Sequence, residues 1–453
     1  MRKAILSFLV ASAFVPLNAN ALDLMHAYEF ALNNDPLYRS AVKENEAGQA
    51  NRVIGRAQLM PRLNYSYWTA ANNLKQSGPA YTGGPNQIFN KAYPSDTQTA
   101  QLTQPIFDLA ALARYRQGVA QGNFSDAKFA YHSQDLLVRT LQAYTDVLFA
   151  EDQLKYQTAE RDAYKEQMKL NQRMFEKGEG TKTDVLESTA SFSITEAKVI
   201  EAQDNLENAK RKLEAMMGEP IKSAKEVRKL SNNFKIQPIF PKTFEDWKEI
   251  ALGSNPELTA MSHQIEIARQ TYQQNKAAHY PTVSGFVSWN QQKSYTVVTV
   301  NQESLQSMVG ISVNVPIFSG GETVGKTSQA RAGYEKTQAD YDATRDRVIT
   351  ELKKQFDAVN SSLQKIEALG RAVNSSSELT KAMRKSIQGG VRINLDALMA
   401  DKAFATSQRD LAQAKYNYLL SVLKLKQQAG ILTVEDLEKT ATYFHLDSAR
   451  GVH

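Results

Sequence analysis

Ala31-Leu32-Asn33-Asn34-Asp35-Pro36 and, 220 residues later, Ala251-Leu252-Gly253-Ser254-Asn255-Pro256 are two versions of one segment. Pro61 and Pro281 keep the same offset. Further along, Pro105-Ile106-Phe107 answers Pro316-Ile317-Phe318 at an offset of 211, and Gly178, Asp184, Leu186 and Gly218 answer Gly390, Asp396, Leu398 and Gly430 at 212. A period this long lies far beyond those of solenoids, so the chain is a duplicated half and not an array. The fall in offset places nine extra residues between the two prolines of the first copy. That stretch holds Gly78-Pro79 and Gly83-Gly84-Pro85 and reads as a longer surface loop.

Each copy has the same internal order. No proline occurs between Pro105 and Pro220, or after Pro316. Ala, Gln, Lys, Glu and Leu dominate there, the composition of long helices. Ile349, Leu352, Phe356, Val359, Leu363 and Ile366 step by three and four, a heptad seam that asks for a neighbouring helix, and Leu137, Leu141, Tyr144 and Leu148 echo it in the first copy. A helix over Ile106–Lys177 would hold 72 residues and reach ~108 Å. Gly178-Glu179-Gly180 and Gly389-Gly390 break the helices, while Thr183-Asp184 and Asn394-Leu395-Asp396 supply capping chemistry for returning helices that run to Gly218 and Gly430. The long segments are therefore helical hairpins with tight tips.

Before each long helix the period changes to two. Val283, Gly285, Val287 and Trp289, then Val309, Ile311, Val313 and Val315, alternate with small or polar residues except at Phe286; Leu63, Tyr65 and Tyr67 begin a weaker version, and Leu102 leads into Pro105. Each copy thus carries one β-hairpin of two strands of about ten residues, long enough to cross a membrane when tilted. Four strands leave two bare edges, and several chains contributing strands to one closed barrel is the cheapest remedy.

Arg2 and Lys3, the apolar run Ala4–Leu17 and the small-residue site Ala19-Asn20-Ala21 form a secretory signal peptide, so the mature chain begins at Leu22. The resulting divisions are 1–21 signal peptide, 22–230 first repeat, 231–241 linker, 242–432 second repeat and 433–453 C-terminal tail. Mean hydropathy is −0.46, and no run of 18 uncharged apolar residues follows the signal, which excludes a bundle of membrane helices. There is no cysteine and there are six scattered histidines, which argue against disulfide scaffolds, thiolate chemistry and metal enzymes. The net charge of +6 becomes +4 without Arg2 and Lys3, too weak and too dispersed for nucleic acid.

Together with the signal peptide and the doubling, several motifs resemble the TolC family of outer-membrane export ducts. They are Pro-Ile-Phe continued by Ser319-Gly320-Gly321, the tip Gly390-Val391-Arg392-Ile393-Asn394-Leu395-Asp396-Ala397-Leu398, and Ala414-Lys415-Tyr416-Asn417-Tyr418-Leu419 followed by Leu423-Lys424-Leu425 and Ala429-Gly430. The resemblance covers nearly the whole mature chain. It implies a mainly α protein with a membrane β-barrel: a homotrimer of about twelve strands in the outer membrane of a Gram-negative bacterium. Long coiled-coil helical hairpins would form its periplasmic α-barrel. It implies no catalytic, cofactor or metal site, and as partners an inner-membrane ABC transporter, a periplasmic adaptor, an exported polypeptide and outer-membrane lipid. Residue 22 is Leu, with no thiol to carry a lipid. The chain is therefore more similar to the branch serving type I secretion, including proteases and lipases, than to the lipidated multidrug-efflux branch, which stays as the alternative. Carried over residue by residue, Asp184 and Arg392 match positions that link hairpins and hold the periplasmic entrance closed, and Asp396 matches an acidic ring that narrows the lumen. Two departures weaken that ring: Ile387 stands where the family's prototype has tyrosine, and Met399 where it has a second acid.

Two other classes compete. Gly320-Gly321-Glu322-Thr323-Val324-Gly325-Lys326-Thr327 fits a phosphate-binding loop between strand and helix, as a nucleotide hydrolase would need. No alternating strand-helix pattern supports a parallel sheet, and Asp108-Leu109-Ala110-Ala111-Leu112-Ala113 replaces the motif in the first copy. The glycines read better as a bend into the helix. A secreted coiled-coil interaction protein is the other. Tyr416 and Tyr418 read as helix-packing aromatics.

Overall fold

The structure is a computed structural model that describes residues 22–78, 85, 87–221, 227–231, 234, 236, 238–294, 302–389 and 392–444. The signal peptide, the Gly-Pro connection at 79–84, Gly390 with Val391 and the tail beyond Phe444 lie outside the described residues.

One order of elements occurs twice. The first half runs α1 (Leu24–Asn34), α2 (Pro36–Ala57), β1 (Arg62–Gly78), β2 (Gln87–Phe107), α3 (Leu109–Glu176) and α4 (Lys182–Met217). The second runs α5 (Phe244–Ser254), α6 (Pro256–Ala277), β3 (Thr282–Ser294), β4 (Gln302–Asn314), α7 (Glu322–Gln388) and α8 (Asn394–Gln428), and α9 (Val434–Ala441) follows.

The repeated hexapeptide is the break between the first two helices of each half. A residue before proline is pushed out of the helical region while proline itself suits a first turn. Asp35 (ψ 118°) and Asn255 (ψ 121°) accordingly end α1 and α5, and Pro36 and Pro256 open the next helices. The Asp35 carboxylate also caps α2, accepting from Tyr38 N at 2.7 Å. Each break is tied to the far end of its own half: Asn34 Nδ2 donates to Met217 O at 2.7 Å, and Asn255 Nδ2 to Gln428 O at 2.8 Å. Beyond those carbonyls stand Gly218 and Gly430, both left-handed (φ 73° and 76°). A Cβ on Gly430 would lie 2.1 Å from Ser254 O, so only glycine fits.

Contacts divide the chain into two compact units, each drawing on both halves. One holds residues up to Ser40, His132–Asn255 and Ile349 onward. Its core includes Leu136, Leu141, Tyr144 and Leu148 of α3, Leu352, Phe356 and Val359 of α7, and Leu419, Leu423 and Leu425 of α8. The heptad seam read from the sequence is thus the core seam. Ile349, expected at its start, is only half-buried. Tyr416 and Tyr418 are buried in this core, and Tyr418 meets Phe234 edge-on.

The other unit, Ala41–Tyr131 with Pro256–Val348, carries one antiparallel sheet in the order β1-β2-β3-β4. The strands exceed the expected ten residues: β1 has 17, β2 21, and β3 and β4 13 each. The nine extra residues are not mainly a loop. Gly78 stands four residues beyond the equivalent of Ser294, Gln87 starts four before that of Gln302, and the connection grows by only one. Pairing continues because a two-stranded ladder satisfies its backbone whatever its side chains. β2 also absorbs Pro105-Ile106-Phe107, with a bulge between Pro105 and Phe107. α3 therefore starts at Leu109 and not Ile106, with Ala111 N bonded to Asp108 Oδ1 at 2.9 Å. In the second copy Pro316–Phe318 lie outside both strand and helix, as does Val315.

Candidate functional site

The register sorts the sheet into two faces. On one face the rows across the strands read Leu63-Leu102-Val287-Val309, then Tyr65-Ala100-Trp289-Ser307, then Tyr67-Gln98-Gln291-Leu305. Below the first row follow Gly285-Ile311 and Val283-Val313. Above the third comes a charged row, Thr69-Asp96-Lys293-Glu303, in which Lys293 pairs with Glu303 at 3.4 Å. The opposite face is mainly polar in the same stretch, as in Asn64-Gln101-Ser288-Met308 and Ser66-Thr99-Asn290-Gln306, with Phe286, Met308 and Trp68 as its large apolar members. Val309 and Leu63 are 82% and 72% exposed, so among the described residues nothing covers these positions of the apolar face. From Val283 to the charged row at Lys293 is ten residues, ~33 Å of strand, or ~25 Å when tilted by ~40°. That is the height of an outer-membrane apolar band.

The helical tips hold the residues expected at the gate. Asp184 is the third residue of α4 and closes a capping box with Thr181: its N–H donates to Thr181 Oγ1 at 3.1 Å, and its carboxylate accepts from the Thr181 hydroxyl at 2.6 Å and backbone N–H at 3.1 Å. The hydroxyl first, then the backbone N–H, hold the Asp184 carboxyl below the usual carboxylate range. The cap is Thr181 and not Thr183, which lies inside α4. At the second tip Ile393 occupies the N-cap and gives no side-chain bond, and Asn394 is already helical. Arg392 lies 3.6 Å from Asp396, one turn along. The two charges of the second tip thus meet each other, whereas Asp184 bonds Thr181 through its carboxylate and accepts from Asn171 and Ser188 through its carbonyl.

Sequence reasoning missed two further sets. Arg384 Nη2 sits 3.1 Å from both carboxylate oxygens of Asp401, joining α7 to α8. Next to it, Lys402 reaches α3, 2.6 Å from Glu160 and over the Tyr164 ring at 4.9 Å. Burial alone would lower the Lys402 pKa, yet Glu160 and Tyr164 raise it. Seven residues on, Arg409 stacks on Tyr156 at 4.6 Å, and seven further Tyr416 donates to Asp152 at 3.4 Å. Burial raises the pKa of both Asp152 and Tyr416. A cavity of about 350 Å³ lies between the last two rungs, lined by Asp152, Lys155, Tyr156, Arg409 and Tyr416 among others. The heptad spacing of Lys402, Arg409 and Tyr416 was the available signal.

The phosphate-loop motif does not form a phosphate site. Gly320 and Gly321 have φ of 61° and 86° and turn the chain into α7. Lys326 is paired with Glu322 at 2.5 Å, and the Thr327 hydroxyl donates to Thr323 O at 2.7 Å. The sheet is antiparallel throughout, whereas a phosphate loop of this kind needs a parallel one.

Duplicated halves, each joining a one-face-apolar β-hairpin to a long helical hairpin, define the class of outer-membrane channels with helical extensions. The chain belongs to the outer membrane efflux protein family, whose description matches residues 27–219 and 247–430. It is 40% identical over 432 residues to the alkaline protease secretion protein AprF of Pseudomonas aeruginosa, covering 94% of this chain and 88% of that one. It is 35% identical over 447 residues to the proteases secretion protein PrtF of Dickeya chrysanthemi, covering 98% and 95%. The Campylobacter jejuni CmeC outer membrane channel has the same fold, with a TM-score of 0.74 at 14% identity over 93% of this chain and 90% of that one. The family is one of channel proteins of the Gram-negative outer membrane.

Proposed function

We propose that the protein is the passive outer-membrane exit duct of a type I secretion system, without catalytic activity of its own. It would conduct a polypeptide, a protease by analogy with the names of AprF and PrtF, from an inner-membrane ABC transporter and a periplasmic adaptor to the outside. The observation that carries this reading is the sheet: four strands, one face apolar over ~25 Å and bounded by a charged row, with β1 and β4 as bare edges. Lipid cannot satisfy those edges, and three copies pairing β4 of one with β1 of the next give twelve closed strands. Lipid would cover the apolar face and the exported chain would pass the polar one. Asp184, Arg392 and Asp396 at the tips would hold the periplasmic entrance closed, and the two repeats would meet at the linker 231–241.

The test is extraction and export. The protein should leave outer membranes only with detergent and migrate as a heat-sensitive trimer, and deleting its gene should abolish extracellular protease activity. A folded monomer soluble without detergent would overturn the reading. Lys326→Ala should leave secretion intact; loss of secretion with assembly unchanged would revive the phosphate-loop alternative.

A further inference from the structure

The first half contains a contact that the second half lacks. Its Pro105-Ile106-Phe107 ends β2 and lies along β3: Gln104 stands opposite Gly285, Pro105 opposite Ser284 and, past the bulge, Phe107 opposite Val283. Ile106 Cδ1 lies 3.4 Å from where a Cβ on Gly285 would stand. The repeated motif, Pro316-Ile317-Phe318, follows β4, and among the described residues no strand lies beyond β4 in the sheet. The motif is outside both strand and helix there. Ile317 and Phe318 are 93% and 88% exposed, against 61% and 44% for Ile106 and Phe107. Side by side and next to the exposed Val315, they form an apolar segment without cover.

The internal repeat says what covers it. Both hairpins have one register: Arg62 faces Thr103 and Leu74 faces Lys91, and their equivalents, Thr282 with Asn314 and Ser294 with Gln302, face each other as well. The halves correspond strand for strand, so the observed β2–β3 joint can be transferred to a β4–β1 joint between copies by the offsets of 211 and 220. Leu102 opposite Val287 becomes Val313 opposite Tyr67, and Thr103 opposite Phe286 becomes Asn314 opposite Ser66. Phe107 opposite Val283 becomes Phe318 opposite Leu63. Directly opposed residues share a face. Val313, Tyr67 and Leu63 all belong to the apolar face, and Asn314 and Ser66 to the polar one, whereas a slip of one residue would set apolar against polar throughout. Pro316 fits this joint because Pro105 already occupies the same place, beside the bulge, with no N–H to donate.

We infer that residues 315–318 are an assembly strap, which extends β4 along β1 of a second copy of this chain with Val313 opposite Tyr67, Asn314 opposite Ser66 and Phe318 opposite Leu63. The inference rests on the trimeric-duct reading and goes beyond it: it fixes the register of the joint and gives the second motif, on assembly, the strand form that the first has within one chain. β1 is the partner because it alone is the equivalent of β3, on which the first motif is already seated.

The chain has no cysteine of its own, so pairs of introduced cysteines report the joint directly. Ser66→Cys with Asn314→Cys and Tyr67→Cys with Val313→Cys lie on opposite faces and represent the two spacings of an antiparallel ladder, of which at least one suits a disulfide. With copper phenanthroline on intact cells, that pair should give covalent dimers and trimers in denaturing gels, forming about fivefold faster than the pair on the same face two residues out of register, Trp68→Cys with Asn314→Cys or Thr69→Cys with Val313→Cys. Leu63→Cys with Phe318→Cys should link as well. A detergent-stable trimer that links faster through Trp68→Cys or Thr69→Cys, or through none of these pairs, overturns the inference alone. Linkage at Ser66→Cys or Tyr67→Cys without linkage of Leu63→Cys to Phe318→Cys leaves the motif facing lipid and overturns the strap. A monomer in detergent overturns the trimer reading and the inference together.

Discussion

The two helical tips occupy equivalent places in the duplicated halves and are built differently. At the first, the turn is fastened at its apex: Gly178 takes a left-handed conformation, Glu179 N bonds Met174 O at 2.8 Å, and Thr181 and Asp184 cap each other. Asn171 Nδ2 adds a bond to Asp184 O at 3.0 Å, joining α3 to α4. At the second tip Ile393 gives no cap, and the described apex is held by one loose pair, Arg392–Asp396 at 3.6 Å. Its firm joint, Arg384–Asp401, sits further up the shanks. Among the described residues the first tip therefore carries a closed capping box, and the second starts its returning helix without a side-chain cap.

The strongest way to break that comparison is through the charges. Arg392→Ser should raise the conductance of the closed duct in planar bilayers severalfold, and Asp184→Ala should raise it in the same direction. If the two residues serve one closure, the double variant should exceed either single one only slightly, because each removes the same restraint. Exposed pairs contribute ~0–1 kcal/mol each, so three symmetric copies make a latch that a docking partner can release. Unchanged conductance in both single variants, with trimers intact, would mean that these charges only shape the tips.

Caps give the next effect. Thr181→Ala removes a cap worth about 1 kcal/mol, so the first-turn amides of α4 should exchange about fivefold faster. Conversely Ile393→Ser supplies the missing cap and should slow exchange at the first turn of α8 by a smaller factor, sharpening the contrast if the closed-state conductance falls with it. Equal exchange at the two tips of the unaltered protein would erase the contrast.

The smallest effect is in pH. Because the Asp184 carboxyl lies below its usual range, its contribution is complete above the unfolded value of about 3.9 and is lost as pH falls through the lower folded value. Protection of the first turn of α4 should hold to about pH 4 and then decline. In Asp184→Asn that decline should be absent; its persistence would assign it to another group.

The duplication, the class of fold and the identity of the tips were legible because they rest on proline, glycine and periodicity. Strand lengths were not. Over Asn72-Asn73-Leu74-Lys75-Gln76-Ser77 the ribbon has no apolar band to obey, so the period-two signal stops while the ladder continues. The cap at Thr181 was misread because Thr183-Asp184 has the same chemistry two residues later, and the chain can use only one start. The rungs from Lys402, Arg409 and Tyr416 to α3 join residues more than 230 positions apart, and sequence can offer only their heptad spacing. Where side-chain pairs and not repeating patterns set the structure, the folded chain had to reveal them.

The paired ties from Asn34 to Met217 and from Asn255 to Gln428 have a consequence for ancestry. Each fastens the beginning of a half to its own end, so one half is a closed module that brings two strands and one helical hairpin. Six copies of a single half would supply the same twelve strands as three copies of the whole chain. Fusing two modules halves the number of chains that must meet in the membrane. It also frees the two tips to diverge, so that one can keep its cap while the other relinquishes it, a division of labour that a ring of identical modules could not adopt.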